Sequence, residues 1–255
     1  MKEVNFFVDD FTFSFSRLNL YETCPYAFYL QYIKELQGQP NFFSQFGTLC
    51  HSIIEDYAKD KIAIFEMVDL YKNKFNEVIT EEAPPNKFKD LKQSYYEEGF
   101  RYFSEFSGWD NDYEILGVEE EFEFFVDKYK FAGIIDLILK HKKEGFLIIE
   151  DHKTKSRLDN EEKEKYMKQL YLYSIPIKDK YGEYPKYLRF NMIRYRNTIT
   201  EEFNIKKLEE TKQWVINQIN KIKQETEWKP LSSPYFCRFV CSFRNICEYI
   251  PQEIT

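Results

Sequence analysis

One apolar segment near the middle of the chain holds side chains whose types and spacing could cleave a phosphodiester bond. Asp136 lies in a run of apolar residues, where a carboxylate is costly to bury unless it binds a metal ion or a partner group. Farther on, LIIEDHK places Asp151 and Lys153 two positions apart, so both should point to one side of a strand. Glu150 and His152 should then point to the opposite side. Adjacent strands would bring Asp136 close to Asp151, with Lys153 beside them.

These residue types suit metal-dependent hydrolysis. A metal ion can activate water and shield the negative charge that develops on the phosphate. Hard divalent ions prefer oxygen ligands, which Asp136 and Asp151 would provide. The ammonium group of Lys153 could orient the attacking water or stabilise the transition state. A surface ion pair at a strand end would explain the D-x-K spacing by itself, and on the residues alone that alternative stays open.

The five cysteines suggest a second centre, because three of them fall in one short C-terminal run. The sequence CRFVCSFRNIC separates Cys237, Cys241 and Cys247 by three and five residues. An odd number of cysteines without a secretory signal argues against a disulfide framework. A set of four thiolates can hold either an iron–sulfur cluster or zinc. Cys50 follows Leu49 on an apolar helical stripe and is interpreted as a core residue.

The strand that contains Gly133 and Asp136, followed by IIEDHKTK, resembles the catalytic hairpin of RecB-like PD-(D/E)XK nucleases. In that family the two acidic residues bind Mg²⁺ or Mn²⁺, which implies this role for Asp136 and Asp151. The resemblance further implies that the carbonyl of His152 is a metal ligand and that Lys153 is catalytic. The implied activity is hydrolysis of DNA, with exonuclease action expected.

Two more elements match this family. The sequence GTLCHSIIE places His51 four residues after Gly47, which resembles the G-x-x-x-H context of a further metal ligand. The sequence KQLYLYS places Gln169 and Tyr173 at i and i+4 on one helix face, which resembles the Q-x-x-x-Y motif beside the active site. Taken alone, the histidine could be an ordinary core or surface residue, and the helix face could be merely half-buried.

The segment SRLNLYETCPYAFYL, with Cys24, resembles the N-terminal cysteine motif of iron–sulfur members such as AddB-type nucleases and CRISPR-associated exonucleases. In those proteins one N-terminal and three C-terminal cysteines hold a structural 4Fe–4S cluster. The resemblance therefore implies Cys24, Cys237, Cys241 and Cys247 as cluster ligands. The usual C-terminal spacing is C-x₂-C-x₅-C, whereas the first gap here is three residues. Zinc remains the alternative occupant.

The periodicity of apolar residues predicts an α+β fold. We predict helices over 14–33, from 46 onward, and over 62–80, 85–106, 161–175 and 206–225, and strands over 113–126, 129–140, 145–153, 186–195 and 198–205. With the resemblance, this implies a restriction-endonuclease-like core in which helices flank a central mixed β-sheet. We predict one domain over residues 1–255, with a helical part (1–110), a nuclease core (111–228) and a cysteine-rich tail (229–255).

The net charge of −7 and the pI near 5.3 are not typical of a nucleic-acid binder, although the local field decides binding. We expect DNA as the substrate, and the hypothesised phosphate path comprises Lys153, Lys155, Arg157, Arg189, Arg194 and Arg196. The chain contains no G-x-x-x-x-G-K-[S/T] phosphate loop, so a helicase motor would be a partner on another chain. A recombination or integrase partner is the other expectation.

Two alternatives to a free-standing nuclease stay open on the sequence: a catalytically silent DNA-binding or complex-forming module, and a nuclease that acts in CRISPR spacer acquisition. Asp9 and Asp10 fall where a signal peptide would be apolar, and no uncharged apolar run approaches the roughly 18 residues of a membrane helix. We therefore expect a cytoplasmic protein without membrane contact.

Overall fold

The computed structural model describes residues 11–231 and 233–250, so Asp9 and Asp10 lie outside the described residues. The α-helices are α1 (Phe15–Thr23), α2 (Pro25–Phe28), α3 (Phe42–Ala58), α4 (Glu66–Val78), α5 (Leu91–Glu105), α6 (Asn160–Tyr181) and α7 (Ile205–Gln224). The strands are β1 (Tyr113–Val126), β2 (Tyr129–His141), β3 (Leu147–Lys153), β4 (Tyr187–Met192) and β5 (Asn197–Glu202). Short π-helical turns span Tyr29–Ile33 and Phe236–Val240, and a 3₁₀ turn spans Ile193–Tyr195. Among the described residues, no helix combines the length and apolar character needed to cross a bilayer.

The strands form one mixed sheet in the order β1-β2-β3-β4-β5. β3 pairs antiparallel with β2 and parallel with β4, and β5 returns antiparallel to β4. Parallel neighbours need a long crossover, and α6 provides it and packs against both strands that it joins. The predicted α+β fold, with helices flanking a central mixed sheet, is confirmed.

The chain divides into two compact units. One takes its residues from the N-terminal segment up to Asn41, from Glu123–Gly133 and from Lys206 onward. The other comprises Phe42–Phe122 and Ile134–Ile205, and therefore contains α3 to α6 and most of the sheet. The core of this second unit is rich in large rings from α3, α4 and α5, among them Phe46, Tyr71, Phe75, Tyr95 and Phe103.

The predicted first helix, 14–33, is wrong as a single element. Ser14 caps α1, because its side chain accepts a hydrogen bond from the amide of Arg17. Cys24 then adopts an extended backbone and separates α1 from α2. The following Pro25 explains the break, since a proline disfavours the helical conformation of the residue before it and suits the first position of a new helix.

The predicted end of the helix at 175 is also wrong. Pro176 lacks an N–H group, and a proline normally ends or kinks a helix. In the structure α6 continues to Tyr181, and Ile177 is fully buried. Burial on the core side sustains the helix, which ends where Gly182 takes the left-handed conformation at φ +80°.

Candidate active site

The pairing of β2 with β3 brings two carboxylates together. Leu137 lies opposite Glu150, and the same register continued by one residue sets Asp136 opposite Asp151. Asp136 and Asp151 are only 9% and 4% exposed. Oδ2 of Asp136 also accepts a 2.7 Å hydrogen bond from the backbone amide of His152. Two acidic groups therefore share a nearly dry position at this end of the strand pair.

His51, on α3, reaches the same place. Its Nε2 lies 2.8 Å from the carbonyl oxygen of His152, and its Nδ1 lies 3.5 Å from Oδ2 of Asp136. The apolar stripe of α3 buries Leu49, Cys50, Ile53 and Ile54, which turns the intervening polar face toward the sheet end. An imidazole from the first half of the unit thus meets a carboxylate and a carbonyl from the strand pair.

Glu119, on β1, is a site residue that the sequence interpretation missed. Its Oε1 lies 3.8 Å from Nδ1 of His51. His51, Glu119 and Asp136 each offer one potential ligand atom, and these atoms lie within 4.8 Å of one another. Glu119 has a left-handed backbone, with φ +49°, which interrupts the alternation of side chains along β1. Because of this interruption, the sequence alone does not show which carboxylate of the run Glu119 to Glu121 points toward His51.

Lys153 and the paired residues of α6 meet on the other side of Asp151. The Nζ atom of Lys153 lies 2.6 Å from Oδ2 of Asp151 and donates a 3.1 Å hydrogen bond to Oε1 of Gln169. The side-chain amide of Gln169 in turn donates to the hydroxyl of Tyr173 at 3.3 Å. The structure therefore brings all of the predicted nuclease residues into one neighbourhood, since His152 contributes its backbone.

The acidic groups perturb one another and the imidazole. Burial and the negative charge of Asp151 raise the pKa of Asp136 to about 7. Burial opposes the charged form of His51, but its contact with Glu119 and the charge of Asp136 outweigh that cost and raise its pKa to about 9. Burial lowers the pKa of His152 well below its usual range, so that ring is neutral. Carboxylates that share a small volume repel one another, and a cation among them relieves the repulsion.

The residues present fit a divalent cation. Oδ2 of Asp151 is a buried oxygen that lies 2.6 Å from the ammonium of Lys153, and Asp136 shares the same nearly dry position. One ammonium does not neutralise two neighbouring carboxylates, and a bound cation would offset the remaining negative charge. The donor set around it consists of carboxylates, one carbonyl and one imidazole, and oxygen-rich sets of this kind suit Mg²⁺ or Mn²⁺.

Comparison with protein families agrees with this geometry. The sequence profile of the PD-(D/E)XK nuclease superfamily matches residues 12–248. The chain belongs to this superfamily. Membership in the PD-(D/E)XK superfamily implies a metal-dependent nuclease that hydrolyses phosphodiester bonds in nucleic acid. A search of curated proteins found no match to this chain.

Two arginines of the hypothesised phosphate path are not available as surface groups in this PD-(D/E)XK fold. Arg189 is 14% exposed and forms an ion pair with the buried Glu150, on the face of β3 opposite Asp151. Arg194 is 7% exposed, pairs with Glu98, and stacks on a tyrosine ring 3.6 Å away. The sequence suggests that these basic side chains are exposed. In the structure, Arg189 and Arg194 instead pair with Glu150 and Glu98.

The predicted cluster cysteines lie together in the other compact unit. One small apolar cavity is lined by Cys24, Cys237, Cys241 and Cys247. Burial and the nearby thiols of Cys24 and Cys247 raise the pKa of Cys237. Cys50 is instead buried among the aromatic side chains that pack α3 against α4 and α5, as the sequence interpretation expected.

Proposed function

We propose that this protein is a DNA exonuclease that depends on Mg²⁺ or Mn²⁺. The observation that carries the proposal is the convergence of His51, Asp136 and Asp151 beside the amine of Lys153, from four separate positions in the chain. A helical histidine and strand carboxylates have no structural need to meet in a dry position. Their shared task would be to hold a cation against the scissile phosphate.

The roles follow from the contacts. His51, Asp136, Asp151 and the carbonyl of His152 would hold the ion, and Glu119 would be a further ligand. When bound, the ion would activate water and neutralise charge on the phosphate. Lys153 would orient the attacking water or stabilise the charge that develops on the phosphate.

The helix α6 would support this lysine. Gln169 holds Nζ of Lys153 at 3.1 Å, and Tyr173 holds Gln169 at 3.3 Å. Tyr173 is buried near two carboxylates, and burial raises its pKa to about 12, so its hydroxyl stays protonated and serves as a hydrogen-bonding group. We expect Gln169 and Tyr173 to keep the amine next to Asp151 while DNA binds.

A cleavage assay tests the proposal. The purified protein is incubated with Mn²⁺ or Mg²⁺ and end-labelled DNA, single- or double-stranded, in linear and covalently closed circular forms. We expect degradation of linear DNA, protection of closed circles, and loss of cleavage in Asp151→Ala and Lys153→Ala. DNA binding without any metal-dependent cleavage would instead identify a catalytically silent module, and cleavage of circles would exclude a strictly exonucleolytic action.

We also propose that Cys24, Cys237, Cys241 and Cys247 hold a structural 4Fe–4S cluster. Their placement around one cavity supports this assignment. Backbone amides support it as well, since Ala27 donates to Sγ of Cys24 and Phe243 donates to Sγ of Cys241, each at 3.4 Å. Hydrogen bonds of this kind stabilise the thiolates of metal and cluster sites.

The visible absorption spectrum of anaerobically purified protein, combined with iron, sulfide and zinc analysis, tests the cluster. We expect brown protein with bound iron and sulfide. Zinc without iron would overturn the cluster and leave a zinc site.

A helicase, or a recombination or integrase protein, remains the expected partner on another chain. This includes a partner that acts in spacer acquisition. Co-purification with such proteins would test the expectation.

A further inference from the structure

The face of β3 opposite the acidic pair carries a short chain of buried polar groups. The parallel register of β3 and β4 places Asn191 directly beside His152. Nδ2 of Asn191 lies 3.2 Å from Nδ1 of His152, and it donates a 2.6 Å hydrogen bond to the hydroxyl of Tyr102 on α5. All three side chains are buried. Because buried polar groups are costly unless they are satisfied, this chain is held firmly in one arrangement.

The same histidine presents its backbone to the candidate metal centre. Its amide donates to Oδ2 of Asp136 at 2.7 Å, and its carbonyl oxygen lies 2.8 Å from Nε2 of His51. The ring and the two flanking peptide groups share one Cα atom. A ring that is held on one face of the strand therefore restricts rotation of the peptide groups that face the metal centre on the other.

Two other polar groups lie near this ring. The ring of His51 meets it edge to face, with centroids 5.6 Å apart, and Glu150 has different partners. Its Oε1 lies 3.6 Å from Nδ1 of His152, which is beyond hydrogen-bonding distance. The indole of Trp109 donates to this carboxylate at 3.2 Å, and Arg189 forms an ion pair with it. Among the described side chains, Asn191 is therefore the one within hydrogen-bonding distance of the imidazole of His152, and its amide also donates to the hydroxyl of Tyr102.

We propose that Asn191 and Tyr102 are positioning residues for the metal centre, which act by fixing the orientation of His152. They touch neither substrate nor ion. Their effect would be to keep the backbone amide of His152 directed at Asp136 and its carbonyl oxygen available to the ion. This inference rests on the proposed metal-dependent function. It adds that Asn191 and Tyr102 stabilise His152 from the face of β3 opposite the acidic pair.

The test uses the conservative variant Tyr102→Phe, with Tyr71→Phe as its matched control. Both variants remove one buried hydroxyl from the same unit, but the hydroxyl of Tyr71 donates to the carbonyls of Tyr95 and Tyr96, each at 3.2 Å, within the helical core. Mn²⁺ affinity is measured directly by calorimetry, and the Mn²⁺ dependence of cleavage and the melting temperature are measured beside it. Asn191→Ala is the second test variant.

We expect Mn²⁺ affinity to fall by about tenfold or more in Tyr102→Phe and Asn191→Ala, as for other groups that orient metal ligands. Cleavage should recover at saturating Mn²⁺. In Tyr71→Phe the melting temperature should fall without a change in Mn²⁺ affinity. Equal Mn²⁺ affinity in Tyr102→Phe, Tyr71→Phe and the unmodified protein would overturn the positioning role and leave the proposed function standing. Absence of Mn²⁺ binding in the unmodified protein would remove both.

Discussion

The backbone amide of His152 donates a 2.7 Å hydrogen bond to the carboxylate of Asp136, so the residue between the acid and the lysine of the D-x-K motif joins β3 to the acidic group on β2. This bond orients the Asp136 carboxylate relative to β3 independently of any bound ion. The protein itself therefore preorganises part of the site. We expect some single substitutions to weaken metal binding and others to lower the cleavage rate without weakening metal binding.

Metal ions should stabilise the folded protein through the acidic pair. Ligand binding to the native state alone adds about 2.7 kcal/mol at a concentration 100 times the Kd, which raises the melting temperature. We expect Mn²⁺ to raise the melting temperature of the unmodified protein and to have little effect on Asp136→Asn or Asp151→Asn. Asp112→Asn, at a side chain that is half exposed, is the control and should respond normally. Equal shifts in all four proteins would place the ion elsewhere.

Lys153 should contribute to catalysis more than to metal binding. Its amine is positioned by Gln169 at 3.1 Å and contacts Asp151 rather than the imidazole. We expect Lys153→Met to lower the cleavage rate by roughly 10²- to 10³-fold while keeping the stabilisation by Mn²⁺. Loss of that stabilisation in Lys153→Met would contradict the separation of roles.

Gln169 should act through the position of the lysine. Because small displacements of a catalytic group are costly, we expect Gln169→Ala to lower kcat by up to about a hundredfold with little change in KM. Gln213→Ala is a matched control, since Gln213 also hydrogen-bonds a residue four positions on, at 3.0 Å, but on the exposed face of α7. Steady-state kinetics on short labelled DNA would measure both, and equal activity of the two variants would remove Gln169 from the site.

Metal affinity should rise with pH. The pKa of His51 is raised to about 9 and that of Asp136 to about 7, whereas a metal ion binds the deprotonated forms. Affinity should therefore increase from about pH 6 to 9 and then level off, and binding at pH 8 should release protons. Calorimetry in buffers of different ionisation enthalpy measures this release. His51→Gln should reduce the proton release at pH 8, and an unchanged release would assign the proton to another group.

Cys24 and Cys50, which are both buried, should respond differently to substitution. Cys24 lines the cavity shared with the C-terminal cysteines, and Cys50 lies in the helical core. We expect Cys24→Ser to lose iron and visible absorption and to unfold more easily, because cluster binding contributes directly to folding. Cys50→Ser should keep the iron even if its stability falls. Full cluster absorbance in Cys24→Ser would show that the four-ligand assignment is wrong.

Substitution of Arg194 should destabilise the folded protein, whereas substitution of Arg196 should have little effect on its stability. Arg194 and Glu98 form a partly buried ion pair, and Arg194→Glu would set two carboxylates against each other. We therefore expect Arg194→Glu to lower the free energy of unfolding by more than the roughly 1 kcal/mol of an exposed pair. Arg196 pairs with Glu105 at an exposed position, and Arg196→Glu should cost about 1 kcal/mol or less. Denaturant unfolding measures both. A stable Arg194→Glu variant with weakened DNA binding would restore this arginine to the phosphate path.

Local periodicity explains what could be predicted from the sequence. Alternation along a strand determined that Asp151 and Lys153 face one side and Glu150 and His152 the other, and the contacts of all four agree. The four-residue spacing of a helix likewise determined that Gln169 and Tyr173 are neighbours. The order of helices and strands followed from apolar periods in the same way, because each depends only on residues a few positions apart.

Tertiary structure decided everything that depends on which distant residues meet. The left-handed backbone at Glu119 selects one carboxylate from an acidic run, and Arg194 is paired with Glu98. The hydrogen bonds from Asn191 to His152 and Tyr102 exist only because β4 pairs with β3 in one register and α5 packs where Tyr102 reaches Asn191. Strand register and helix packing are set by the summed burial of the whole core, and no short stretch of sequence contains that information.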